Sequence, residues 1–399
     1  MNIGFVSTWF ERGAAYVTKA YIDLLEKNNE IFIYARGGEH YAKKDPKWDS
    51  PNVTWAPKIG GTRIVWSHMK RWIDSNKIDT IFFNEQHEFD IIAKIKMYRP
   101  DVKIGSYIDY YKISTINNFN LYDYLICNTK RHFDAFKDHK QVYYVPWGTD
   151  IELFKPREMK VKPSNQIVFF HSMGMSNRKG TDLLIDAFIG EELYKEAKLI
   201  IHTQKELDNN IDYNKYNIEV INKTVSAPGL YHLGDVYVYP TKLEGLGLTT
   251  YEALSCGLPV ITTNYAPMNE VITDDVGRLI DVEKVVCRED AYYWPLAISN
   301  VKSLAQCMKY YIDNKESIHI HKSRAREFAV KELSWIDRKD QIQDIFTQSK
   351  IYTIDKEILY SVLKKTKRKF VIDIARGTMG ILPDSIKYLL SKINIINKI

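Results

Sequence analysis

Short apolar runs alternate with longer segments of helical period along most of this chain, and the alternation occurs twice. This restricts the fold more than any other feature. Strand, helix and strand in succession bury their apolar faces stably only as a parallel sheet covered by helices. The first series holds IGFV (3–6), a helical stretch over 14–26, IFIYA (31–35), IDTIFF (78–83), VKIGSYI (102–108), YLICN (124–128) and VYYVP (142–146). The second follows Pro156 with QIVFFHS (166–172), AKLIIHT (197–203), IEVIN (218–222), DVYVYP (235–240) and LPVITT (258–263). Between them GTDIELFKPREMKVKPSN (148–165), with two prolines and mixed charge, reads as a linker. Helical periods dominate from about 299 to 348. These patterns predict an α/β protein with two Rossmann-like, doubly wound lobes, 1–155 and 156–333, followed by a helical segment, 334–399. Ligands of such sheets bind beyond the carboxyl ends of the strands, so two facing lobes place function in the cleft between them.

At 399 residues the chain exceeds what one core usually supports. The start MNIGFVSTWF has neither a basic n-region nor a long apolar h-region, so no secretory leader is read from it. No apolar run approaches the roughly 18 residues of a spanning helix. Cys127, Cys256, Cys287 and Cys307 lack the short paired spacing of a zinc site or disulfide scaffold, which suits a reduced cytoplasm. The net charge of +6 resides in the tail, because residues 351–399 hold ten Lys/Arg against four Asp/Glu.

Residues 244–261, EGLGLTTYEALSCGLPVI, follow the strand DVYVYP. They read as a loop, then a helix with Thr249 or Thr250 as N-cap and Gly257 as C-terminal stop, then the strand LPVITT. Gly245 and Gly247 remove side chains where the amides of the helix start face a ligand. With the helix dipole those amides make an anion site, worth ~1 to 2 kcal/mol in a sheltered cleft. Glu244 and Glu252 would repel a phosphate but suit hydroxyls, each charge-assisted bond being worth on the order of 1.5 to 3 kcal/mol. Phosphate and hydroxyls together describe a nucleotide-diphosphate sugar.

The segment LYHLGDVYVYPTKLEGLGLTTYEALSCGLPVITTNYAPMNEVI resembles the donor-binding region of retaining GT-B glycosyltransferases of family 4, with the E-x7-E motif at Glu244 and Glu252. FVSTWFERGAAYV resembles that family's N-terminal glycine loop, VPWGTDIELFKP its interdomain junction and NRKGTDLLIDAF its lysine-containing helix start. The likeness covers roughly residues 1–350. It implies the GT-B fold, with C-terminal helices returning to the N-terminal, acceptor-side lobe. It also implies that Glu252 holds ribose hydroxyls, and that Glu244 with the amides of Gly245, Leu246, Gly247, Leu248 and Thr249 holds the donor sugar and phosphates. Lys179 would pair with the diphosphate, and Gly13 would approach from the opposite lobe.

Two positions depart from the family pattern. Met173 and Gly174 stand where many members carry Gly-Arg; Arg178 either replaces that phosphate contact or is a solvated helix-start residue. The string GMSNRKGT is not a P-loop, because Lys179 precedes Gly180. In KIGSYIDYYK, Ile108 replaces the histidine of a His-Asp pair and leaves Asp109, either an acceptor-site residue that binds or polarises the incoming hydroxyl or a helix cap. His87, in NEQHE, is a second acceptor-side candidate against the alternative of a polar loop histidine.

The resemblance implies hexose transfer with retention, assisted by the leaving diphosphate and needing no metal or other cofactor. In keeping with that, the sequence has no D-x-D, and His319 and His321 face different sides of a helix. The partners it implies are a nucleotide-sugar donor and a glycan or lipid-linked acceptor of a growing surface glycan. In the tail, Leu359, Leu363 and Phe370 share a helical face bordered by Lys364, Lys365, Lys367, Arg368 and Lys369. Such a helix suits the anionic inner face of the cytoplasmic membrane; alternatively its apolar face packs on the N-terminal lobe. The YYWP segment (292–295) lines the cleft or simply packs. No nucleic-acid module is present. The other functions open to such a chain are a GT-B nucleotide-sugar epimerase and a catalytically silent nucleotide-sugar-binding partner.

Overall fold

Aliphatic and aromatic residues fill the central strands, and runs such as TIFF, YLIC, VYVY and VITT are buried along their whole length, as strands covered on both faces must be. The computed structural model describes residues 1–36, 41–58, 62–109, 111–157, 166–208, 210–288 and 293–366. The first sheet contains β1 (Asn2–Thr8), β2 (Glu30–Arg36), β3 (Val53–Trp55), β4 (Thr80–Phe83), β5 (Lys103–Tyr107), β6 (Tyr124–Cys127) and β7 (Val142–Tyr144), in the order β3-β2-β1-β4-β5-β6-β7. The second contains β8 (Ile167–Gly174), β9 (Ala197–Thr203), β10 (Ile218–Asn222), β11 (Val236–Tyr239), β12 (Val260–Thr263) and β13 (Gly277–Ile280), in the order β10-β9-β8-β11-β12-β13. Every pairing in the two sheets is parallel.

The strand order reverses between β1 and β4 in one sheet and between β8 and β11 in the other. At these points successive crossovers leave in opposite directions and open a crevice at the strand ends. The crossovers of the first lobe include α1 (Gly13–Leu25), α2 (Trp66–Ser75), α3 (Asp90–Tyr98) and α4 (Lys130–Phe136). Those of the second include α5 (Thr181–Gly190) and α6 (Leu248–Ser255), and α7 (Val301–Asp313), α8 (Ile318–Glu332) and α9 (Lys339–Gln348) follow. Among the described residues, no helix is long and apolar enough to cross a membrane.

Helix α9 lies on the first lobe: the Phe346 ring meets Phe5, Phe82 and Tyr124 at centroid distances of 6.2, 5.0 and 5.6 Å. The chain reaches it by passing the junction after β7, where Thr149 bridges Ser334 and Trp147 lies 4.4 Å from Trp335. Gly148 permits that crossing, because a Cβ there would meet the Leu333 carbonyl oxygen at 2.6 Å. Leu359 and Val362, in the helical stretch 356–366, are also buried in the first lobe's core, with Leu363 packed against it. Phe370 and the basic residues Lys367, Arg368 and Lys369 lie outside the described residues.

The elements differ from expectation at three places. The short edge strands β3 and β13 and the hairpin of β14 (Val282–Val286) with β15 (Leu296–Ser299) were not read from the sequence. Much of β14 is exposed, so it lacks the apolar alternation that marks a buried strand. Thr249 and Thr250 do not cap α6; they are its second and third residues. Gly247, left-handed at φ 76°, precedes the helix instead. Of the YYWP segment, Tyr292 lies outside the described residues, and Tyr293 and Trp294 pack on Tyr111, with the Trp294 Nε1 proton donated to the Tyr111 hydroxyl at 2.6 Å.

A buried ion pair ties these parts together. Lys96 Nζ donates to both oxygens of Asp123 at 2.5 and 2.6 Å, and Asp123 also accepts the amides of Ile104 (2.7 Å) and Tyr352 (2.8 Å). Removing one partner of such a pair leaves an uncompensated buried charge. Asp123→Ala is therefore expected to cost about 3 to 5 kcal/mol, measured by urea denaturation, and more than Lys47→Ala in the exposed Glu11 pair.

Candidate active site

The two reversal points face each other, and a cavity of about 600 Å³ lies between them. The loop after β1 supplies Arg12 and Gly13, the loop after β4 supplies Glu85 and His87, and Asp109 follows β5. From the other lobe come Arg178 and Lys179 after β8, Glu244 to Gly247 in the loop after β11, and Leu248 and Thr249 at the start of α6. Eleven of the twelve residues singled out above therefore line one cavity: Gly13, His87, Asp109, Arg178, Lys179, Glu244, Gly245, Leu246, Gly247, Leu248 and Thr249. The twelfth, Glu252, lines a neighbouring cavity of about 420 Å³, which meets the first at Leu248 and Thr249. The start of α6 is thus the wall the two cavities share.

Glu244 is buried, and its Oε1 accepts from Lys179 Nζ (2.6 Å), the Tyr239 hydroxyl (2.8 Å) and the Thr241 hydroxyl (2.7 Å). Burial acts to raise its pKa, but Lys179 and Arg178 outweigh burial and hold the carboxyl below the usual glutamate range. Oε1 is occupied, while Oε2 has no hydrogen-bond partner among the described residues. Glu252 repeats the pattern: Oε2 accepts from the Tyr231 hydroxyl at 2.5 Å and Oε1 has no partner among the described residues. Burial raises the Glu252 pKa, and only the Tyr231 bond opposes it. Each glutamate therefore has one fixed oxygen and one available to a ligand hydroxyl.

An aromatic ladder joins them. Tyr237 and Tyr239, two apart on β11, share a face of the sheet with centroids 5.4 Å apart, and Tyr231 lies 5.6 Å from Tyr237. Arg178 is exposed at the cavity, and its Nε donates to Ser176 Oγ at 3.3 Å.

On the facing lobe, Asp109 presses against the Gly245 backbone so closely that a methyl at 245 would overlap its Oδ1. Burial, and after it the neighbouring Glu85 carboxylate, push the Asp109 pKa well up. His87 is exposed at the cavity, with its amide donated to the Thr62 hydroxyl. His321 lies between the rings of Tyr310 and Tyr311 while His319 is exposed, and among the described residues no group of three His, Cys, Asp or Glu could hold a metal.

Several residues at the site went unread in the sequence. Arg131, at the start of α4, reaches across the cleft to the Glu244 carbonyl (2.6 Å) and the Ala266 carbonyl (2.6 Å), beneath the Trp294 ring. Glu270 replies from the second lobe, accepting the Lys130 and Arg131 amides at 2.7 and 2.9 Å. Arg36, at the end of β2, and Arg288, after β14, also line the large cavity. The usable signal for Arg36 and Arg131 was position, since each follows the carboxyl end of a strand that points into the cleft.

Residues 164–292 match the sequence model of the family described as Glycosyl transferases group 1. A GDP-mannose-dependent alpha-(1-6)-phosphatidylinositol dimannoside mannosyltransferase of Mycobacterium tuberculosis is 24% identical over 234 residues, 55% of this chain. The match spans 60% of that relative's length. A glycosyltransferase from Rickettsia africae superposes with a TM-score of 0.66 at 15% identity, covering 87% of this chain and 98% of that one. Anabaena HepE, solved in complex with UDP and glucose, gives 0.63 at 16% identity, covering 86% and 98%. Two facing parallel-sheet lobes give the chain the GT-B fold of these glycosyltransferase structures, and the segment that matches the glycosyl transferases group 1 model is its second lobe, with the E-x7-E stretch inside it.

Proposed function

We propose that this protein transfers a hexose-type sugar, with retention, from a nucleotide-diphosphate sugar to a hydroxyl of a glycan or lipid-linked acceptor in surface polysaccharide synthesis. The observation that carries the reading is the pair of adjoining cavities, with Glu252 in one, Glu244 in the other and the start of α6 between them. The nucleoside occupies the smaller cavity, its ribose hydroxyls on Glu252. The diphosphate lies at the amides opening α6 with Lys179 and Arg178, and the sugar reaches Glu244.

Retention follows from the part each group plays. Glu244, held by three donors on one oxygen, is a weak nucleophile and serves as a hydroxyl acceptor. The acceptor hydroxyl attacks the anomeric carbon on the face from which the diphosphate departs. The new carbon–oxygen bond forms as the bond to phosphate breaks, and the hydroxyl proton passes to the departing diphosphate. Asp109, whose pKa burial and Glu85 push up, orients that hydroxyl from the first lobe, with His87 lining the same cavity. Lys179, Arg178 and the helix amides stabilise the leaving charge without a metal. The site of action we propose is the cytoplasmic side of a membrane; Leu359 and Leu363 are taken up by packing on the first lobe, so the contact with anionic lipid falls to the basic residues of the tail.

The nucleotides named for the relatives, GDP and UDP, set the first donors to test. Nucleoside diphosphate release is expected from one donor in a panel and is expected to survive a chelator. Lys179→Ala and Glu252→Ala should each lower it by at least tenfold, since each removes a charge-assisted contact worth about 1.5 to 3 kcal/mol. Conversion of the donor sugar without diphosphate release would point to an epimerase, and saturable binding without turnover to a silent partner.

Donor affinity should depend on pH through Glu252. Its raised pKa means that it takes up a proton at higher pH than an ordinary glutamate, and the protonated form accepts hydroxyl hydrogen bonds poorly. Affinity is therefore expected to be full above the raised value and to fall as pH drops through it. Glu252→Gln should bind weakly with a flattened profile; an unchanged profile in that variant would remove Glu252 from the ribose site.

A further inference from the structure

Arg36 is 3% exposed, yet it lines the large cavity from the first lobe. It ends β2 directly beside Thr8 of β1. Three of its five guanidinium donors go to neutral oxygens: Nη1 to the Asn84 carbonyl and Gln86 Oε1, both at 3.1 Å, and Nη2 to the Thr8 hydroxyl at 3.2 Å. Among the described residues no carboxylate lies within ion-pair distance of it. Glu85 and Glu88 favour its charge only through space, and neither hydrogen-bonds to it. A buried cation whose hydrogen-bond partners are all neutral is stabilised by a ligand that brings an anionic oxygen to bonding distance.

The geometry suits such a ligand. The donors that remain, Nε and one proton of Nη2, form the edge of the guanidinium that grips two oxygens of a phosphate. That edge is held in advance: Gln86 is fixed through its amide to the carbonyls of Thr62 and Glu88, both at 2.9 Å. The donor diphosphate is accounted for on the second lobe, by Lys179, Arg178 and the start of α6. We propose that Arg36 binds a phosphate carried by the acceptor, so that this protein selects acceptors phosphorylated close to the reacting sugar. The proposal rests on the transferase reading and names the acceptor class for it.

Two matched pairs test it by titration into the native protein saturated with nucleoside diphosphate: hexose 1-phosphate against methyl hexoside, and decyl diphosphate-linked hexose against decyl hexoside. The phosphorylated member is expected to bind about 10- to 100-fold more tightly in at least one pair. A preference in both pairs assigns the phosphate itself, and a preference confined to the decyl pair assigns a lipid diphosphate. Arg36→Gln should bring the ratio to within about threefold of unity, and Arg36→Lys should keep part of it. Equal or absent affinity for both members of both pairs in the native protein overturns the proposal without needing any variant. So does a native preference that persists in Arg36→Gln. Absence of nucleotide-sugar binding by the native protein would instead overturn the transferase reading, and this assignment with it.

Discussion

Arg131 is the contact on which the arrangement of the site depends. Its guanidinium belongs to the first lobe but holds the backbone of the second at Glu244 and Ala266, and Glu270 returns the contact onto the start of the helix that carries it. The carbonyl it holds belongs to the glutamate whose carboxylate faces the cavity, so lobe closure and site geometry are set by one side chain. Asp109 against Gly245 works in the same direction, since the absence of a Cβ lets an acid from one lobe rest on the ligand loop of the other.

On the proposed reading the two glutamates divide a single ligand. Each has one oxygen anchored by protein donors and one facing its own cavity, yet their environments differ. Lys179 and Arg178 keep Glu244 readily ionised, whereas burial makes Glu252 easier to protonate. A group beside a diphosphate must hold its own charge near phosphates, and the lysine and arginine serve both. A group beside a ribose has no such company, so on the proposed reading the nucleoside end is expected to be the pH-sensitive one.

The strand runs were legible because full burial leaves an unbroken apolar signature, and Glu244, Glu252 and the glycines were legible because their spacing is local to one loop and one helix. Arg131 and Glu270 were not, because their partners lie 113 and 140 residues away and only the folded cleft brings them together. Arg36 was hidden in the same way, as one more arginine at the end of a strand. The threonines of α6 were misread as caps because the rule for capping side chains competes with left-handed glycine, and here Gly247 turns the chain two residues before Thr249 and three before Thr250. The hairpin of β14 and β15 is half solvated, and exposure removes the signal that would have announced it.

The central claim is that one nucleotide sugar spans both cavities, with its nucleoside at Glu252 and its sugar at Glu244. Calorimetric titration of the free nucleoside diphosphate and the whole nucleotide sugar into Glu252→Gln and Glu244→Gln tests it most directly. Glu252→Gln is expected to weaken both ligands by a similar factor. Glu244→Gln should weaken the nucleotide sugar clearly more than the nucleoside diphosphate. The reverse assignment, or equal losses for both ligands in both variants, would contradict it.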